Sequence, residues 1–139
     1  NILSTDPTTS VQAWTAINSA TLAVSSGLLI TNVSSTAGGA NYTLPVTVGQ
    51  TYRVRFGFTL GTSSSCAFSV LNGATVADTT TLTASSASTE LTITAVNSTI
   101  TFRAQNVSTT TGHTGTVASL QYVDDQTGSR IGFELCNLN

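Results

Sequence analysis

The chain contains no lysine and no methionine, and only 7% of its residues are charged. Typical globular chains carry about 25% charged residues. The net charge is −2, so there is no basic patch of the kind that marks nucleic-acid binding. No apolar run approaches the ~20 residues of a membrane-spanning helix, which excludes insertion by that route. No signal peptide is visible, and Asn1 in place of an initiator Met is read as a processed or trimmed start. Histidine occurs once, at His113, and glutamate only at Glu90 and Glu134. A zinc site is disfavoured by one His and two scattered Cys. A Ser-His-Asp triad would need His113 held beside a positioned acid, and glycosidase chemistry needs two acids about 5–10 Å apart across a cleft. Nothing in the spacing brings either together. Phosphate-binding loops and dinucleotide fingerprints are absent as well. The chain therefore reads as non-enzymatic.

What is present is serine, threonine and β-branched residues, with a mean hydropathy of +0.21. That combination is far from the low-hydrophobicity, high-charge signature of disorder. At 139 residues the chain reads as a single domain over residues 1–139, large enough to bury a core. Gly49 to Gly61 reads GQTYRVRFGFTLG. Tyr52, Val54, Phe56, Phe58 and Leu60 alternate with Arg53, Arg55, Gly57 and Thr59, the period of a strand with one buried face. Further strands are predicted over 20–24, 28–33, 42–48, 66–71, 79–83, 90–95, 99–104, 116–123 and 130–135. Ser25-Ser26-Gly27 and Asn72-Gly73 mark tight turns, and Pro45 marks an edge or a bulge. Residues 8–16 have room for one short helical turn. Residues 34–40, 83–89 and 108–115 read as Ser/Thr/Gly loops. About ten short strands with no helical periodicity predict an all-β fold, an antiparallel sandwich of jelly-roll type.

Parity assigns faces. Arg53 and Arg55 oppose the Tyr52 series; Thr101 and Arg103 oppose Ile100 and Phe102; Ser119 and Gln121 oppose Ala118, Leu120 and Tyr122. Three of the four arginines thus lie on faces away from the core, either as solvated sheet surface or as planar donors for a ligand. Replacing Arg53 and Arg55 together by alanine is expected to leave the fold intact. Cys66 shares parity with Phe68 and Val70 and reads as buried, whereas Cys136 shares parity with Glu134. Two free thiols is the favoured reading, and a disulfide the alternative. Sequons at Asn32, Asn41, Asn97 and Asn106 are expected by chance in so Ser/Thr-rich a chain.

Three stretches carry a family resemblance: Asn1-Ile2-Leu3 followed by Trp14, the central VTVGQTYRVRFGF, and the closing GTVASLQYV. In this order they resemble the jelly-roll carbohydrate-binding-module-like domains of secreted glycoside-active proteins and of phage tail and virion proteins. The resemblance implies a structural role for Trp14. It implies sugar contacts from aromatic faces and planar polar groups. The available groups are Tyr42, Tyr122, Arg53, Arg55, Arg103, Gln105, Gln121 and His113. Aromatics make up only 6% of the chain, too few for an exposed stacking strip. Family members often hold a structural calcium between the termini, but this chain has Leu120-Gln121 where an Asp is common. Asp6, Asp124 and Asp125 are the oxygen donors left for such an ion, and turn chemistry explains them as well. No cofactor is expected. The lysine-free texture resembles a phage virion component, a tail fibre, tailspike or capsid decoration protein. The implied role is attachment to host surface glycan or structural decoration, with copies of itself or other virion proteins as partners, in a closed homo-oligomer such as a trimer. The alternative is an accessory carbohydrate-binding module of a secreted hydrolase.

Overall fold

A computed structural model describes residues 6–124. A 3-10 turn at Pro7–Thr9 precedes ten strands. They are β1 (Trp14–Ile17), β2 (Thr21–Val24), β3 (Leu28–Thr31), β4 (Gly39–Pro45) and β5 (Thr51–Leu60). The second half comprises β6 (Cys66–Asn72), β7 (Thr75–Leu82), β8 (Ser86–Thr94), β9 (Thr99–Asn106) and β10 (Thr114–Asp124). They form two five-stranded sheets, β1-β4-β9-β6-β7 and β2-β3-β10-β5-β8. Every pairing is antiparallel. The fold is an antiparallel β-sandwich of jelly-roll type.

The core lies between the sheets and follows the alternation. Tyr52, Val54, Phe56 and Phe58 of β5 are buried, as are Ile100, Phe102 and Ala104 of β9. Phe56, Phe68 and Phe102 form a ring cluster, with the Phe56 centroid 4.3 Å from Phe68 and 5.2 Å from Phe102. Trp14 closes one side of it. Its ring lies 5.1 Å from Tyr42, and its Nε1 donates to the Pro7 carbonyl at 3.0 Å. That is the structural role expected of it.

Strict alternation fails in β10. The pairing with β5 shifts between Val117 and Ser119. This bulge places both Val117 and Leu120 in the core and leaves Ala118, expected to face inward, exposed. Gly57 sits opposite Ser119 because a Cβ there would come within 2.9 Å of Ser119 Oγ and 3.1 Å of the Ala87 carbonyl.

Other boundaries also depart from expectation. β1 is a four-residue strand where part of a helical turn was expected, and the turn itself is the shorter one at Pro7–Thr9. β8 begins inside the 83–89 stretch expected to be loop, and β4 inside the 34–40 loop. Both turns at Ser25–Gly27 and Asn72-Gly73 form, with Ser26 at φ 52, Gly27 at φ 121 and Gly73 at φ 59. Pro45 ends β4 opposite Thr99, beyond the reach of β1, so it does occupy an edge position. The strand expected over 130–135 and the Cys136 thiol lie outside the described residues.

The free edge of the sandwich is stitched by side chains. Asp78 of β7 accepts from Thr92 N of β8 at 2.9 Å, and Asn72 bonds both Thr94 O and Val96 N. These contacts tie β6 and β7 of the first sheet to β8 of the second and the residues just after it.

Candidate functional site

The candidate ligand-binding residues separate onto two opposite faces and one end of the sandwich. Arg53, Arg55 and Gln121 share the outer face of the second sheet, because β5 pairs β10 with Arg55 opposite Gln121 and Arg53 opposite Val123. On the other side of β5, Glu90 stands opposite Arg55. The Arg55 Nε donates to Glu90 Oε2 at 2.8 Å, and both side chains are more than one-third exposed. An exposed pair of this kind contributes under about 1 kcal/mol. Arg55→Ala is therefore expected to shift a urea-unfolding midpoint only marginally; a loss comparable to a core truncation would contradict the face assignment.

Arg103 and Gln105 lie on the outer face of the first sheet. Antiparallel register sets a row across all five strands, Thr15–Asn41–Arg103–Ser69–Thr79. At about 4.8 Å between strands the row extends about 19 Å. Arg103 Nε donates to Asn41 Oδ1 at 3.1 Å, which fixes the guanidinium plane. Ser69 and Thr79 share a hydroxyl bond of 3.0 Å. The next row sets Gly39, Gln105, Ala67 and Thr81 side by side. Gln105 Nε2 donates to the Ala37 carbonyl at 3.0 Å. Its chain runs over Gly39, where an added Cβ would meet the Ala104 carbonyl at 2.6 Å and Gln105 Cβ at 3.1 Å. The missing side chain at Gly39 therefore lets Gln105 lie flat. Among the described residues no carboxylate pairs with Arg103, in contrast with Arg55. Asn41 entered the sequence reading only as a sequon; its place in the row depends on pairing between strands some 60 residues apart.

His113 sits in the β9–β10 loop, away from both faces. Its Nδ1 shares a 2.8 Å bond with Ser108 Oγ, which also accepts from Thr110 N at 3.1 Å. The pair braces the loop. Beneath it lies a buried amide cluster. Asn32 Nδ2 donates to the Ser108 and Thr110 carbonyls, and its Oδ1 accepts from Gly38 N and Asn106 Nδ2. Asn106 Oδ1 accepts from the Cys66 thiol at 3.2 Å. Asn32 and Asn106 are each 1% exposed, so neither sequon is accessible in the folded domain.

Cys66 is a free, buried thiol, and burial pushes its pKa up from 9.0 to about 12, partly offset by a hydrogen bond with Ser63. The unfolded chain ionises this thiol near its ordinary value while the folded chain holds it neutral. The stability it supplies is thus complete below pH 9.0 and is lost as pH rises toward about 12. Tyr122 acts in the same direction, its pKa raised by burial and by the neighbouring Tyr52 and Tyr42. Cys66→Ala is expected to flatten the alkaline decline in denaturation free energy. An unchanged slope between pH 9.0 and about 12 would contradict it.

Asp6 and Asp124, the two acidic candidates among the described residues, are not brought together. Asp6 caps the 3-10 turn, accepting from Thr8 N at 2.9 Å, and reaches Leu120 N at 3.3 Å. Asp124 lies four residues further along β10, about 13 Å away. No cluster of metal-binding side chains occurs among the described residues, and Asp125 lies outside them. Asp124 lines an open groove of about 320 Å³ with Pro45, Val46, Thr47, Tyr52 and Tyr122. The two tyrosine rings are buried, with the Tyr122 hydroxyl donating to the Pro45 carbonyl and the Tyr52 hydroxyl accepting from Thr47 N. Tyr42 packs on Trp14. No tyrosine or tryptophan among the described residues presents an exposed stacking platform.

No known protein family matches the sequence, and no curated protein is similar to it. Solved structures are similar in fold. A xylan-binding domain of carbohydrate-binding module family 22 aligns with a TM-score of 0.57 at 18% identity, covering 83% of this chain and 88% of that one. The family 35 module from Paenibacillus barcinonensis aligns with a TM-score of 0.57 at 11% identity, covering 86% and 96%. The enzymatically active domain of tailspike protein 4 from bacteriophage CBA120 also aligns, with a TM-score of 0.57 at 11% identity. There the alignment covers 84% of this chain but only 20% of that one. The alignments thus span most of each of the two binding modules and a fifth of the tailspike chain.

Proposed function

We propose that this domain is a non-catalytic carbohydrate-binding module that attaches its parent assembly to glycan through the outer face of the first sheet. The observation that carries this reading is the Thr15–Asn41–Arg103–Ser69–Thr79 row with Gln105 beside it. Guanidinium, amide and hydroxyl groups are the partners sugar hydroxyls use, and the row follows the direction in which an extended chain would lie across the strands. The fold shared with carbohydrate-binding modules supports the same reading. With the aromatic rings committed to the core, contacts are polar rather than stacked, which favours weak individual sites.

The parent assembly is a phage-like virion appendage or decoration protein, a reading supported by the lysine-free, 7% charged composition and the tailspike neighbour. A closed homo-oligomer, such as a trimer, would convert weak sites into useful avidity. An accessory module of a secreted hydrolase is the second reading, favoured by the fold shared with carbohydrate-binding modules over most of both aligned chains. The test is a screen of the purified domain, at its native oligomeric state, on a glycan array and on candidate host cells. Saturable binding is expected. A well-folded oligomer that binds no glycan and no cell would instead make it a structural decoration protein.

A further inference from the structure

Two surface arginines of this chain are treated differently by the fold. Arg55 has a carboxylate partner supplied by the neighbouring strand. Among the described residues Arg103 has only the Asn41 amide oxygen, which engages Nε and leaves the two terminal nitrogens without a hydrogen bond. Its neighbours in register are Asn41, Ser69, Gly39-backed Gln105 and Ala67. None is acidic, and the remaining strand positions in the two rows are Thr15, Ile17, Thr79 and Thr81. Arg103 is half-buried among them, so its charge is partly withdrawn from water without being neutralised. A guanidinium in that state, its plane fixed and its fork open, matches a planar anion far better than a neutral hydroxyl.

From this, and resting on the function proposed above, we infer that the preferred ligand is an acidic glycan whose sugar carboxylate is taken bidentately by Arg103. Asn41 is the positioning residue that holds the fork. Ser69, Gln105 and the threonines provide hydrogen bonds to ring hydroxyls on either side. The lack of carboxylates along the row serves the same end, since an acidic side chain there would repel the ligand.

The experiment is calorimetric titration with matched polymer pairs: polygalacturonate, alginate and hyaluronan, each against its carboxyl-reduced, neutral derivative. At least one acidic member is expected to bind tenfold or more tightly than its reduced partner and to weaken with added salt. Arg103→Gln should bring its affinity down to that of the reduced polymer, while Arg103→Lys, which keeps the charge but loses the fork, should recover only part. Arg55→Ala should change nothing. Sulfated dextran binding as tightly as any carboxylated polymer would assign the site to anions in general and overturn the carboxylate. Equal binding of an acidic polymer and its reduced form would overturn the inference while leaving glycan binding in place. Failure of all these polymers would overturn it as well, and the glycan array then decides separately whether any sugar is bound.

Discussion

Phe56→Ala is expected to cost about 3–5 kcal/mol of stability, the range for truncating a fully buried phenylalanine. Phe56 is 0% exposed and lies at the meeting point of the sheets, its ring centroid 4.3 Å from Phe68 and 5.2 Å from Phe102. Phe68 and Phe102 sit on adjacent strands of the opposite sheet. Removing the Phe56 ring opens a void that neither can fill, because each is held in turn by its own strand partners. The check is equilibrium unfolding in urea, where the midpoint should fall with the slope unchanged. A near-neutral result would mean that the alternation of β5 points the other way and that the two faces are exchanged.

Asn32→Ala is expected to be nearly as damaging, by about 2–4 kcal/mol, through polar rather than apolar loss. A buried group left without its partner costs about 1–3 kcal/mol, and this side chain serves several. Its amide holds the Ser108 and Thr110 carbonyls, the Gly38 amide and Asn106. The damage should be local as well as global. Amide exchange should quicken across the loops at 33–38 and 107–113 before it does in β5 or β6. Uniform protection in those loops would contradict the bracing role. Asn32→Asp should not rescue the loss, because the carboxylate keeps the acceptor and forfeits both donors.

The two residues also mark where the sequence was legible. Phe56 stands in a ten-residue strand with one clean face, so period alone places it. The turns at Ser25–Gly27 and Asn72-Gly73 carried their own chemistry and were equally readable. Asn32 appeared only as a glycosylation sequon, because its partners are backbone groups up to 78 positions away, which no local pattern records. The same limit applies to β1 and to the start of β8. A four-residue strand has no room for a period, and an edge strand of serines and threonines has no apolar face to betray it. The β10 bulge inverted the parity of Ala118 for a comparable reason: a single extra residue is invisible until the partner strand is known. For the site, parity correctly turned Arg53, Arg55, Arg103 and Gln121 outward. It could not say that Arg103 belongs to one sheet and the others to the opposite one, since strand order is a property of the assembled sandwich.

The central claim, that glycan lies across the outer face of the first sheet, is tested most directly by amide chemical-shift mapping. The ¹⁵N-labelled domain would be titrated with the best glycan from the array. Perturbations are expected at Asn41, Arg103, Gln105 and Ser69 and at their neighbours along β4, β9 and β6, and they should vanish in Arg103→Gln. Perturbations gathered instead around Arg53, Arg55 and Gln121 on the opposite sheet, or on the loops around His113, would contradict it.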